Sequence, residues 1–406
     1  MNPTTPNSAG TRTGTVSTGR RRAAKLALAV GLIAGALPVT SGASAASPAG
    51  RIAPAAAPTL SVTTVVSGLD HPWDIAFGPH GRMFWTQRER GSVMVRDGRG
   101  TRTLVARVPH LWVSGETGLM GIALHPNFSS NRRFYTCNGH TEPDGSHDVR
   151  VIAWRANDAI TSASRIRPLV MGIEVSSGRH GGCRLRFGSG GGLFIGTGDA
   201  ALTGNSRNLR SLGGKVLRVD PLTGAPHPGN PFVRSSNRKT RLILTYGHRN
   251  IQGLALRADG IMWSVEHGPD RDDEVNILRK GGDYGWEPGP GYDESVPMTD
   301  NSLPGVQIDA RWSSGFPTVA TSGAAWLRGN RWDSWEGALA VAALKDQSLR
   351  IMRFNAAGIL VGVARPGALA GTYGRLRAAQ MGPNGVLYLT TDNGSGQDRI
   401  LAVRAG

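Results

Sequence analysis

Apolar and polar residues alternate along this chain in short runs, and the runs come in pairs. Trp73-Asp74-Ile75-Ala76-Phe77 turns at Pro79-His80-Gly81 into Met83-Phe84-Trp85-Thr86. Gly121-Ile122-Ala123-Leu124 turns at His125-Pro126-Asn127 into Arg133-Phe134-Tyr135. The pattern returns at residues 184–187 with 193–195, at 253–256 with 262–264, more loosely at 323–327 with 338–341, and at 378–381 with 387–389. Period-two alternation punctuated by Gly, Pro, Asn and Asp predicts β-hairpins. Further strand-like runs follow most pairs, at residues 93–95, 149–154, 215–219, 349–354 and 400–403. Six such units of about four strands predict an all-β chain, a six-bladed β-propeller with four-stranded antiparallel blades; a pair of packed β-sandwich layers is the alternative. The strand at residues 60–66 is expected to pair with the last blade and close the ring, leaving no open edge. A blade needs only ~40–45 residues, so long loops must leave the ring, and such loops commonly carry sites.

Composition agrees: 57 of 406 residues are Gly and 18% are charged, which disfavours long helices and disorder. Before the first strand, Arg20-Arg21-Arg22 and Lys25 precede an apolar run from Leu26 to Val39 and a small-residue Ala43-Ser44-Ala45 site. Residues 1–46 read as a signal peptide, with Sec or twin-arginine export open. Residues 47–57 read as an Ala/Pro-rich leader and 58–406 as the propeller, secreted and without stable membrane insertion after cleavage. The apolar run is short for a membrane span. The first 46 residues carry five basic and no acidic residues, so their removal lowers the formal charge from +17 to +12. The remaining basic residues are scattered, with no stripe or motif of a nucleic-acid binder. Export makes a Cys137–Cys183 disulfide the expectation over two free thiols.

Two stretches carry candidate chemistry. One is Tyr246-Gly247-His248-Arg249-Asn250-Ile251-Gln252-Gly253-Leu254. The other runs Glu266-His267-Gly268-Pro269-Asp270-Arg271-Asp272-Asp273-Glu274-Val275-Asn276. Its acids and Gly-Pro carbonyls suit calcium, a cation that takes hard oxygen ligands; a solvated acidic turn is the plainer reading. Gly188–Gly192 lies between two strands, so it is a hairpin turn and not a phosphate cradle, and Gly213-Gly214-Lys215 lacks P-loop spacing.

With Gly281-Gly282-Asp283-Tyr284-Gly285-Trp286, these stretches resemble the soluble glucose and aldose sugar dehydrogenases that use pyrroloquinoline quinone (PQQ), the glucose/sorbosone dehydrogenase family. The resemblance runs from His71-Pro72-Trp73 to Asp392, and within the Gly-His-Arg-Asn motif only Ile251 departs. It implies a PQQ- and Ca2+-dependent oxidation of an aldose or related sugar or polyol, with His180 as general base and Asp199 orienting it. It further implies that Arg249, Asn250, Gln252, Thr318, Lys345, Arg375 and Arg377 hold PQQ. The carbonyls of Gly268 and Pro269 would bind the calcium beneath the quinone, and Asp273, Glu274 and Tyr284 lie in the region of a second, structural calcium. The residue types fit these roles, since arginine grips carboxylate in a fork and an unperturbed imidazole titrates near neutrality.

Three positions depart from the glucose-oxidising members. Glu116 stands for a Gln, Arg179 for an acid, and Phe316 for an aromatic Trp of the substrate mouth, so the family's own glucose is not implied. No Cys-x-x-Cys-His haem motif is present, which requires an external electron acceptor. Dimers fit the family. The competing functions are a calcium-dependent propeller lactonase or hydrolase, and a non-catalytic propeller that binds carbohydrate or protein.

Overall fold

A computed structural model describes residues 56–406. The expected signal peptide and all but the last two residues of the expected leader lie outside the described residues.

Among the described residues, twenty-four strands form six four-stranded antiparallel sheets. The first is Pro72–Phe77, Met83–Gln87, Ser92–Asp97 and Gly100–Val105. The second is Leu119–Leu124, Arg133–Thr141, His147–Ala156 and Ala163–Ile173. The third is Gly182–Phe187, Leu193–Thr197, Lys215–Val219 and Ile243–Tyr246. The fourth is Ile251–Leu256, Met262–Glu266, Glu274–Ile277 and Trp312–Ser313. The fifth is Thr321–Trp326, Leu339–Ala343, Ser348–Phe354 and Leu360–Ala364. The sixth joins Leu376–Met381, Leu387–Thr391 and Asp398–Ala405 to Leu60–Leu69 from the other end of the chain, with Leu60 opposite Ala405. The first strand of each blade packs against the first strands of its two neighbours, so the six line the axis of a closed ring. This is the six-bladed propeller read from the hairpin pattern, closed by the early strand as expected.

Matching turns at opposite ends of the sequence show how local chemistry sets the hairpins. Gly78-Pro79-His80-Gly81 and Gly382-Pro383-Asn384-Gly385 each make one 3₁₀ turn, with His80 and Asn384 both at φ 59°. Proline presets the first position, and the left-handed residue then reverses the chain. Between blades the core is apolar and aromatic; Trp73, Trp85, Trp263 and Trp332 are fully buried.

The fold aims the functional residues by one repeated device. In all six blades the pairing of the first strand with the second slips in register at the start of that first strand, as at Gly182/Arg184, Ile251/Gly253 and Leu376/Ala379. Such bulges bend a strand and re-aim its side chains. His180, Arg249, Asn250, Gln252, Thr318 and Arg377 all lie at or just before these starts, so they gather at one mouth of the ring.

Cys137, in the second strand of blade two, is bonded to Cys183, in the first strand of blade three, with Cα atoms 5.7 Å apart. The bridge closes a 46-residue separation and staples two blades three residues from His180. Chain-entropy arguments give such a crosslink about 2–4 kcal/mol. A Cys137→Ser, Cys183→Ser double variant is therefore expected to lose about that much stability in non-reducing denaturant titrations. An unchanged midpoint would deny the bridge a structural role.

Candidate active site

His180 Nδ1 lies 2.8 Å from Asp199 Oδ1, and both side chains are buried. A carboxylate only accepts, so Nδ1 carries the hydrogen and Nε2 is left as the basic atom. Backbone geometry brings the pair together. His180 sits at φ 52° just before blade three, and Asp199 follows the second strand of that blade. The two segments touch at Gly198, where a Cβ would stand 1.9 Å from the His180 carbonyl oxygen, so only glycine fits. Asp199 is held in turn by the Ala201 N–H at 2.9 Å on Oδ1, and on Oδ2 by Trp286 Nε1 and the Tyr292 hydroxyl, each at 2.8 Å. Burial pushes its carboxyl up, but these donors and the His180 charge outweigh that and hold it below the usual carboxylate range.

Arg249 and Asn250 continue the same wall, since the Asp199 N–H donates to the Arg249 carbonyl at 2.8 Å. Asn250 donates to Glu116 Oε2 at 2.9 Å and accepts from the Gly182 N–H. Gln252 donates to Asn250 Oδ1 at 3.0 Å and more weakly to Glu116, and its Oε1 accepts from Arg377 Nη1 at 3.1 Å. Arg377 also donates from Nε and Nη2 to Asp392 Oδ2, at 2.8 and 2.6 Å. Asp392 Oδ1 meets His71 Nδ1 at 2.5 Å. An unbroken polar chain thus runs from blade two across blades three and four to blade six, at the mouth that holds His180.

Thr318 and Lys345 form a second group, with Lys345 Nζ donating to Thr318 Oγ1 at 3.3 Å. Thr318 is buried, and its N–H donates to the Asp270 carbonyl. Lys345 and Arg375 are exposed, and neither has a carboxylate partner among the described residues. Arg375 falls one residue before its strand begins at Leu376, so it faces water while Arg377 is buried. Phe316 stands 78% exposed.

Only the first part of the acidic stretch is a solvated turn, with Asp270 and Arg271 exposed. Asp273 and Glu274 are buried, and Glu274–Ile277 is a strand. Asp273 accepts from the Gly268 N–H at 3.0 Å and the Val319 N–H at 2.7 Å, locking the two loops that carry Pro269 and Thr318. Glu274 shares the Asn276 amide with Glu266, at 3.1 and 2.9 Å. Burial, and then the Glu266 charge, push the Glu274 carboxyl up to about 8. Glu266 also receives His248 Nδ1 and the Arg249 N–H. Tyr284 stacks on His248 with centroids 4.3 Å apart, and its hydroxyl bonds the Ile277 carbonyl and the Arg279 N–H. The hydroxyl is therefore engaged in the fold; only the backbone carbonyl of Tyr284 remains to serve a cation.

Several neighbours of the site carry no sequence pattern. Tyr292 and Glu294 come from the connection between strands three and four of blade four; Glu294 pairs with both Arg249 and Arg179. Asp392 completes Arg377. His267, within the acidic stretch already singled out, places a buried Nε2 with no hydrogen-bond partner among the described residues. Asp70, His71 and Asp398 are close enough to share an ion. Asp398 is already held by the Asn393, Gly394 and His71 N–H groups and the Thr391 hydroxyl, as a knot of the ring closure.

Comparison with known proteins agrees with this architecture. Residues 69–402 match the family model described as Glucose / Sorbosone dehydrogenase. An aldose sugar dehydrogenase of Escherichia coli (strain K12) is 31% identical over 354 residues, covering 84% of this chain and 93% of that protein. The crystal structure of a putative oxidoreductase (glucose dehydrogenase) from Thermus thermophilus superposes with a TM-score of 0.71 at 32% identity, covering 85% of this chain and all of that one. The PQQ-bound aldose sugar dehydrogenase of Streptomyces coelicolor gives 0.68 at 27% identity, covering 86% and 100%. The bladed ring, its mouth and these matches together make this chain a member of the glucose/sorbosone dehydrogenase family.

Proposed function

We propose that this protein is a secreted, PQQ- and calcium-dependent dehydrogenase of an aldose or related sugar or polyol, with His180 as the general base. The observation that carries the reading is the buried His180–Asp199 pair of blade three set beside a wall of amide and guanidinium donors drawn from blades four and six.

The donor set suits a rigid polyanion. Among the described residues Lys345 and Arg375 lack carboxylate partners and His267 Nε2 is buried without a hydrogen-bond partner, while Arg377 and Gln252 are pre-oriented by Asp392 and Asn250. On this reading Arg249, Asn250, Gln252, Thr318, Lys345, Arg375 and Arg377 hold the cofactor, which when bound supplies the hydride acceptor. The carbonyls of Gly268 and Pro269 suit one calcium. A second fits the oxygen-rich Glu274 region with Asp273 and the Tyr284 carbonyl. His180 Nε2 takes the hydroxyl proton of the substrate carbon being oxidised. Asp199 fixes the tautomer and stabilises the imidazolium that results, while Trp286 and Tyr292 keep Asp199 an acceptor at Nδ1. Glu116, Arg179 and Phe316 line the side from which substrate would enter, and electrons leave to an external acceptor.

The test is reconstitution. Apo-protein given PQQ and Ca2+ is expected to reduce an artificial dye with some members of a panel of aldoses and polyols, and chelation before loading is expected to abolish the signal. Failure to bind PQQ under these conditions would sink the reading in favour of a binding-only or hydrolytic propeller.

A further inference from the structure

Arg249 does not wait for a ligand with its charge uncovered. Glu294 Oε1 accepts from Arg249 Nε at 3.1 Å and from its Nη2, and Glu294 Oε2 accepts from Arg179 Nη2 at 3.2 Å. One carboxylate thus straddles two guanidinium groups, one nearly buried and one half exposed, with side-chain exposures of 5% and 51%. The residue beside Arg179 in sequence is His180. The carboxylate is delivered by a surface hairpin rather than by the ring. Gly289 and Asp293 exchange both backbone hydrogen bonds, and Tyr292 sits at φ 62° within the turn. Tyr292 points its hydroxyl at His180 Nδ1 and Asp199 Oδ2, and its N–H donates to Thr203 Oγ1. Glu294 therefore reaches the site from the same hairpin that contacts the proposed base.

A buried guanidinium needs a counter-anion, and a fork of two arginines is shaped for a carboxylate. Burial pushes the Glu294 carboxyl up, but the Arg249 charge wins and holds it below its ordinary range, so it stays an anion at neutral pH. Any carboxylate ligand that needs Arg249 must compete with it, and its apparent affinity falls by the fraction of time the place is taken.

We propose that Arg179 and Arg249 form a carboxylate seat, that Glu294 is its resident occupant, and that a ligand carboxylate binds there by displacing it. The ligand is a carboxylate of the quinone cofactor, which rests on the function proposed above, or the carboxylate of a uronic-acid sugar. Glu294→Gln keeps shape and removes charge. Calcium-loaded apo-protein, wild type and E294Q, would be titrated with PQQ, with D-glucuronate and with D-glucose, reading binding by calorimetry.

The expected result is that E294Q tightens one carboxylate ligand about tenfold, the scale of one charge-assisted hydrogen bond, and leaves D-glucose unchanged. Tightening of PQQ assigns the seat to the cofactor, and tightening of D-glucuronate assigns it to substrate. Unchanged or weakened binding of both overturns the proposal and leaves Glu294 as a prop for Arg249. A wild type that binds no PQQ would sink the cofactor reading, while the D-glucuronate arm still decides the seat. Should E294Q fail to fold, Arg179→Gln at the exposed arm is expected to weaken the same ligand about tenfold, and no change there is equally fatal.

Discussion

Arg377→Ala is expected to cost both stability and cofactor binding, the largest combined effect in the molecule. The guanidinium and Asp392 are each nearly buried, with side-chain exposures of 5% and 3%. Removing Arg377 leaves a buried carboxylate with His71 as its remaining side-chain partner, and breaking such a buried pair typically costs about 3–5 kcal/mol. Gln252 Oε1 loses its donor at the same time. Acid titration supplies the sign. Burial raises the Asp392 carboxyl, but the Arg377 charge and the His71 hydrogen bond more than reverse this and hold it far below its ordinary range. A depressed folded pKa gives stability that is present above the unfolded carboxylate range, near pH ~4, and lost as pH falls below it. His71 has the opposite sign: its hydrogen bond to Asp392 raises its pKa against the cost of burial, so its share is present below ~6.5 and lost as pH rises above that. Urea melts across pH should show wild-type stability shrinking from about pH 5 downward, with a flatter acid limb in the variant. A variant as stable as wild type and with the same acid limb would mean that Asp392 is not paired as described.

His180→Ala is expected to leave the fold and PQQ binding intact and to lower kcat about 10²–10⁴-fold, the usual worth of a positioned general base. The imidazole makes its bonds to Asp199 and Tyr292, and the Ala201 N–H and Trp286 still satisfy Asp199 without it. Stopped-flow dye reduction with reconstituted enzyme, alongside a PQQ titration, separates the two effects. Equal turnover would remove His180 as the base, and lost PQQ binding would make it part of the cofactor's seat instead.

The ring was legible because its inner strands are buried on both faces of each blade, so they read as short, largely apolar runs between turns of fixed chemistry. The outermost strands were harder to see. Trp312–Ser313 is two residues long, and residues 163–173 are largely exposed, so burial imposes little pattern on them. Glu274–Ile277 was hidden for another reason. Its polar side chains serve a buried network, so a true strand looks like an acidic loop. Among the candidate site residues, those on the Gly-His-Arg-Asn motif and around His180 stood out because they sit at strand starts in compact motifs. Tyr292, Glu294 and Asp392 did not. Each matters only through a partner far away in sequence, and no local spacing announces such a partner.

The strand that completes the sixth blade has a kinetic meaning. Leu60 lies opposite Ala405, and the Gly406 N–H reaches the Thr59 carbonyl. Nascent protein can stack early blades as they emerge, but the annulus stays open until Asp398–Ala405 is available to pair with Leu60–Leu69. Once shut, neither end can peel away without unzipping the other, so fraying is suppressed where an open sheet would begin to unravel.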